Sequence, residues 1–174
     1  MTAAALHGNR RLTAALLSVA LGGCFLPPLR PRVHLEPGVS LTSYRVFDVG
    51  RVVDESGWPF PYEITDSLRR RLVQRLREHG YEVTVRDSAG GRGDGAVLRI
   101  ESRLTAFRSG GLGFMQSGPR TRCWLASTLI DGSSGRRVGE IFAAEDDELA
   151  PFAVLMRCAR IVADEIDRRV RGGR

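Results

Sequence analysis

Three cysteines and three histidines are the residues of this chain best suited to nucleophilic, redox or metal chemistry. No two of them stand at metal-ligand spacing, so a structural or catalytic metal site is not expected. His7 and His34 fall in segments with no periodic pattern. His79 precedes Gly80 at a helix end, where an imidazole suits the negative pole of the helix dipole and a structural role is the simpler reading. The serines have no evident histidine partner. Gly111-Leu112-Gly113 is followed by glycine only at Gly118, which does not match a dinucleotide-binding loop. The run Glu145 to Glu148 could hold a cation, but a helix start and a solvated surface explain it more simply. The chain therefore reads as a non-enzyme without cofactor or metal. Two loops carry large apolar groups instead: Trp58, Phe60 and Tyr62 in one, and Leu112, Phe114 and Met115 in the other. Such groups either contact a partner or fold back over the core edge.

These residues must be positioned by a small set of elements. Tyr44 to Gly50 reads as a strand, and residues 51–61 as a loop with turn residues. Ile64, Leu68, Leu72, Val73 and Leu76 recur at helical spacing, and Gly80 supplies the stop. Residues 81–86 alternate as a strand. Leu98, Ile100, Ser102 and Leu104 share one face of the next strand, with Arg99, Glu101 and Arg103 on the other. One face is thus buried and one wet, as in a sheet covered on one side. Arg120 to Ile130, the turn DGSSG and Arg136 to Ala144 predict a hairpin. A last helix is expected from about Asp147 to Val170, with Asp146, Asp147 and Glu148 favouring its positive end. The pattern predicts an α/β (α+β) two-layer sandwich: a mixed, mainly antiparallel sheet of about five strands, with two helices on one face. The first strand–helix–strand unit should pair its strands in parallel, and the remaining strands, joined by short loops, should run antiparallel. On that topology the two apolar loops fall at opposite ends of the sheet.

Upstream of the domain, residues 1–23 contain no acid. Asn9-Arg10-Arg11 precede the apolar run Leu12 to Leu21, which is too short to cross a bilayer. A charged start and a short apolar run have the layout of an export signal. The run ends in Leu21-Gly22-Gly23-Cys24, which resembles the lipobox of bacterial lipoproteins at all four positions. That resemblance implies a signal peptide at 1–23, cleavage before Cys24, and a diacylglycerol on the Cys24 thiol. It also implies an envelope location with the domain facing the periplasm. Phe25 follows the cysteine, not an aspartate, which by the same resemblance implies the inner leaflet of the outer membrane. Pro27, Pro28, Pro31 and Pro37 make residues 24–43 read as an extended tether, followed by one domain over 44–171.

Composition sets few limits on partners. All 26 basic residues are arginine. Beyond the signal, 24 arginines face 20 acids, an excess of four. So small an excess does not argue for nucleic acid; it permits contact with anionic head groups.

The segments YRVFDVG, SLRRRLVQRLREHGYEV, AVLRIESRLTAF and LASTLIDGSSGRRVGEIF, with the closing helix, resemble a broad group of small envelope lipoproteins. That group is related to the curli-secretion lipoprotein and to the N-terminal domain of the Tol-system propeller protein. The resemblance implies the sheet-and-two-helix domain and no catalytic residues. Pore formation and Tol function do not follow, since the extension and the propeller are missing. In an oxidising compartment Cys123 and Cys158 are either a disulfide or two buried small apolar residues. The function these features imply is that of an adaptor or assembly component meeting an envelope protein partner. A lipid- or glycan-binding lipoprotein is the alternative, and an envelope hydrolase a more distant one.

Overall fold

The computed structural model of the chain describes residues 30–60, 63–87, 96–109, 120–147 and 151–172. Six strands and two helices follow in the order β1 (Arg32–Leu35), β2 (Val46–Asp54), α1 (Glu63–Glu78), β3 (Glu82–Val85), β4 (Val97–Ser109), β5 (Thr121–Asp131), β6 (Arg137–Asp147) and α2 (Pro151–Val170). The strands form one sheet in the order β1-β6-β5-β4-β2-β3. Both helices lay their apolar stripes on one face of it. Leu68, Leu72 and Leu76 of α1 and Leu155, Val162 and Ile166 of α2 join Phe47, Ile100, Leu104, Leu125, Leu129 and Ile141 in a single core. The two-layer sandwich is the predicted one.

Local chemistry explains the element ends. Gly80 takes φ +89°, Tyr81 N donates to Leu76 O at 3.2 Å, and α1 stops there. α2 opens with Pro151, whose missing N–H has no helical partner to lose. In the 131–136 hairpin, Asp131 Oδ1 accepts from Ser133 Oγ, Ser134 N and Ser134 Oγ at 2.6 to 2.7 Å. Asp131 Oδ2 accepts from the Tyr44 hydroxyl at 2.7 Å, which ties the chain before β2 to this turn.

The structure corrects four expectations. The sheet has six strands because residues 32–35, within the expected tether, pair antiparallel with β6 from Arg32↔Phe142 to Leu35↔Gly139. Leu41 is buried as well. Four alternating residues with one apolar face suffice for an edge strand, even between prolines. Gly139 makes the close pairing possible: a Cβ there would stand 2.7 Å from His34 O. Second, β2 runs on to Asp54, through residues read as loop. Third, β4 is parallel to β2, not antiparallel to its predecessor, and lies on the other side of β2 from β3. The connection from Arg86 to Ala96 is long enough to return the chain to the starting end of the sheet. Fourth, Glu145, Asp146 and Asp147 end β6 and do not start α2. Arg157 bridges Glu145 and Asp147 at 2.7 and 2.6 Å, and Arg122 pairs with Asp146 at 2.8 Å. Ion pairing thus accounts for these three acids.

Candidate functional site

The parallel course of β2 and β4 decides where the apolar loops lie. Both follow the C-terminal end of a strand in the same direction, so both leave the sheet at one end. They are not at opposite ends as expected. Ser109, the last described residue before 110–119, stands directly across the ladder from Thr121 at this end, and residues 110–119 themselves lie outside the described residues.

The first loop is built from short-range contacts. Asp54 Oδ1 accepts from Ser56 N and Ser56 Oγ, and Glu55 N donates to Leu104 O at 2.9 Å. Phe60 N donates to Trp58 O at 2.7 Å around Pro59, a one-residue turn suited to proline's fixed φ. The turn brings both rings onto Phe107 of β4. The Trp58 and Phe60 centroids lie 5.3 and 4.6 Å from that of Phe107, both edge to face, and 6.3 Å from one another. Edge-to-face contacts place ring hydrogens against a π face and favour this geometry. Phe107 is buried, Phe60 is half-buried, and Trp58 keeps 41% of its surface exposed. The loop therefore folds back over the core edge at Phe60, while Trp58 keeps a face exposed.

Phe107 reaches this position through a bulge. Strict alternation would put it with Arg103 on the wet face. The register shifts between Leu104 and Ala106, so Phe107 stands opposite the buried Cys123. The sequence signal was weak, since one extra residue in a strand leaves no mark in composition.

The sheet face away from the helices forms a second candidate region. A cleft of about 460 Å³ lies over β2 and β4, lined by Asp48, Arg51, Arg86, Arg99 and Arg103 among others. Asp48 is buried, and its carboxylate lies 3.0 Å from Arg86 Nε and 3.6 Å from Arg99 Nε. Thr84 Oγ1 donates to its other oxygen at 3.2 Å. Arg103 lies 3.8 Å from both Glu55 and Glu140. Sequence reading missed Asp48; its signal is a lone acid within the apolar strand YRVFDVG. Val53 and Phe142 stand 52% and 43% exposed, Val53 on the cleft and Phe142 on the same face beyond it. Buried and paired, Asp48 holds the strands; the arginines lining the cleft suit an anionic group.

His79 has the structural role expected, with partners that sequence did not reveal. Its Nε2 is 2.8 Å from Asp164 Oδ1 and its Nδ1 is 3.5 Å from Asp167 Oδ2, so it joins α1 to α2. Arg75 donates to the same Asp164 oxygen at 2.6 Å. Burial opposes the charge on Asp164, but hydrogen bonds from Arg75 and His79 prevail and hold its carboxyl below the usual range. His34 is exposed on β1. Among the described residues no group of three His, Cys, Asp or Glu side chains is placed to hold a metal ion.

Cys123 and Cys158 are brought together as buried free thiols. Cys24, Tyr62, Leu112, Phe114 and Met115, with His7, lie outside the described residues. No described helix is long and apolar enough to cross a membrane.

No protein-family model matches this chain, and no curated protein matches it. Solved structures do share its fold. A PelC dodecamer from Paraburkholderia phytofirmans is similar at a TM-score of 0.55 and 15% identity, covering 76% of this chain and 96% of that one. Protein XCC0632 from Xanthomonas campestris, of family DUF330, is similar at a TM-score of 0.51 and 18% identity, covering 84% and 94%. Hypothetical protein CT253 from Chlamydia trachomatis is similar at 0.51 and 8% identity, covering 73% and 98%. At these identities the likeness is one of fold.

Proposed function

We propose that this chain is a lipid-anchored envelope protein facing the periplasm from the outer membrane, whose domain works as an adaptor or assembly component. It acts through protein–protein contacts, without catalysis or cofactor. The observation that carries this reading is the sheet face opposite the helices. Strands β2, β5 and β6 present there Val53, Thr128 and Phe142 among paired arginines and acids, and no described helix covers them. Broad, mixed surfaces with a few apolar anchors suit a protein partner better than an enclosed ligand. The PelC neighbour is a dodecamer, which makes the fold compatible with assembly from many copies.

Two experiments test the parts separately. Labelling with a fatty-acid analogue should mark the chain and fail with Cys24→Ala. Crosslinked capture from detergent-solubilised membranes should recover a partner with the parent chain and lose it with Phe142→Asp. Label that persists in Cys24→Ala overturns the anchor; capture indifferent to Phe142→Asp overturns the surface. The arginine-lined cleft favours a second reading, a site for an anionic lipid or glycan. Saturable binding of such a ligand, abolished by Arg99→Ala, would support it over the adaptor.

A further inference from the structure

The position of β1 changes how the domain can stand on its membrane. Only eight residue steps separate Cys24 from Arg32, where the sheet begins. Fully extended, they reach at most about 28 Å. The tether expected over residues 24–43 is shortened to this. β1 runs antiparallel to β6, and Arg32 pairs with Phe142, five residues short of the end of β6 at Asp147. The chain arriving from Cys24 thus comes from the direction of Asp147. That end of the sheet also carries Phe107, Ser109 and Thr121, and the loop with Trp58 and Phe60 sits on it.

We infer that this end of the sheet faces the membrane holding Cys24, and that Trp58 rests in the lipid interface. The inference rests on the lipid-anchor reading and adds an orientation and a lipid contact to it. With the aromatic end down, the tether need not stretch. Inverted, the hairpin at 131–136 would point to the lipid. Arg32 would then stand roughly 20 Å above the surface, since about five residues at ~3.4 Å separate its level from that turn. The tether would have to turn and run back along the sheet, using well over half of its reach of about 28 Å, which a flexible segment resists.

The chemistry of the end fits an interface. Trp58 packs on Phe107 and Phe60 and keeps 41% of its surface exposed, an amphipathic ring at this end of the sheet. Tryptophan partitions to the head-group level of bilayers for this reason. Exposed charges at this end are mixed: Arg108 and Arg120 against Asp54, Glu55 and Glu63. The contact should therefore depend on the ring more than on anionic lipid. A protein occupant would need no relation between Trp58 and the tether; a membrane does.

Depth-dependent quenching tests this. The chain has two tryptophans. Trp124→Phe leaves Trp58 as the sole reporter, and Trp58→Phe, Trp124→Phe, Arg136→Trp places the reporter on the opposite hairpin. Each full mature chain is coupled through Cys24 to a maleimide lipid in phosphatidylethanolamine–phosphatidylglycerol vesicles. These include phosphatidylcholine brominated near the head-group end of the acyl chain. Because the anchor is supplied chemically, the outcome does not depend on natural acylation, which fatty-acid labelling reports by itself. Quenching of Trp58 about threefold or more above position 136 is expected from interfacial residence. Equal quenching, or stronger quenching at 136, overturns the orientation and returns Trp58 to a protein contact. Should Trp124→Phe unfold the chain, Trp124 is kept in both variants as a common background and the difference is read.

Discussion

The Cys158 thiol lies 3.5 Å from the backbone carbonyl oxygen of Cys123, with both residues fully buried between α2 and β5. Contact with Cys123 and burial push the Cys158 thiol far up, so it stays protonated at neutral pH. In a chain with Cys24→Ala and made in a reducing compartment, a thiol reagent at pH 8 should find no reactive cysteine in the native state. Unfolding should release both. Immediate reaction of the folded chain would show that this part of the core opens freely. The same count on protein taken from the envelope under alkylating conditions separates two free thiols from a disulfide.

Gly139 allows β1 to close the sheet edge, since an added Cβ would meet His34 O and Leu35 Cδ2 at 2.7 Å. Gly139→Ala should push β1 away while the other strands hold. We expect hydrogen exchange to accelerate sharply at Glu36 N, which donates to Val138 O, with a loss of roughly 1–3 kcal/mol. Unchanged protection at that amide would mean that β1 contributes no stable edge.

Asp131 accepts hydrogen bonds first from Ser133, then from Ser134 and Tyr44, and they hold its carboxyl well below the usual range. A folded-state pKa lower than the unfolded one means stability that is complete above the unfolded value, near 4, and lost as pH falls below it. Asp131→Asn should therefore melt lower at neutral pH and show a shallower loss between about pH 4 and 2. An acid limb of the same slope as the parent would remove Asp131 from the acid response. Burial, reinforced by the bond to Asp131, raises the partner Tyr44 to about 12. Its contribution is steady below about pH 10 and declines above it, as the unfolded phenol ionises first.

Phe107 and Trp58 touch yet should differ in cost. Phe107 is 5% exposed under both loop rings, so Phe107→Ala leaves a cavity and should cost about 3–5 kcal/mol. Trp58 is 41% exposed, so Trp58→Ala should cost less than about half of that. Denaturant unfolding measures both. Equal losses would make Trp58 a core residue and deprive it of an external role.

The sequence alone determined what repeats within a few residues. Apolar spacing marked α1 and α2, alternation marked the buried face of β4, and Asp131-Gly132 marked the hairpin turn, because periodicity and turn chemistry act between near neighbours. It also marked Trp58 and Phe60 as loop residues of interest. What it left undecided depends on partners far along the chain. The segment 32–35 becomes a strand only because β6 offers an edge and Gly139 a gap. β4 pairs with β2 in parallel across a chain separation of more than 40 residues, and that choice brings Asp54 and Ser109, the strand ends before the two apolar segments, to one end of the sheet. The bulge after Leu104 then turns Phe107 inward beneath Trp58. Strand order and register are settled by long-range pairing and packing, which leave no local signature in the chain.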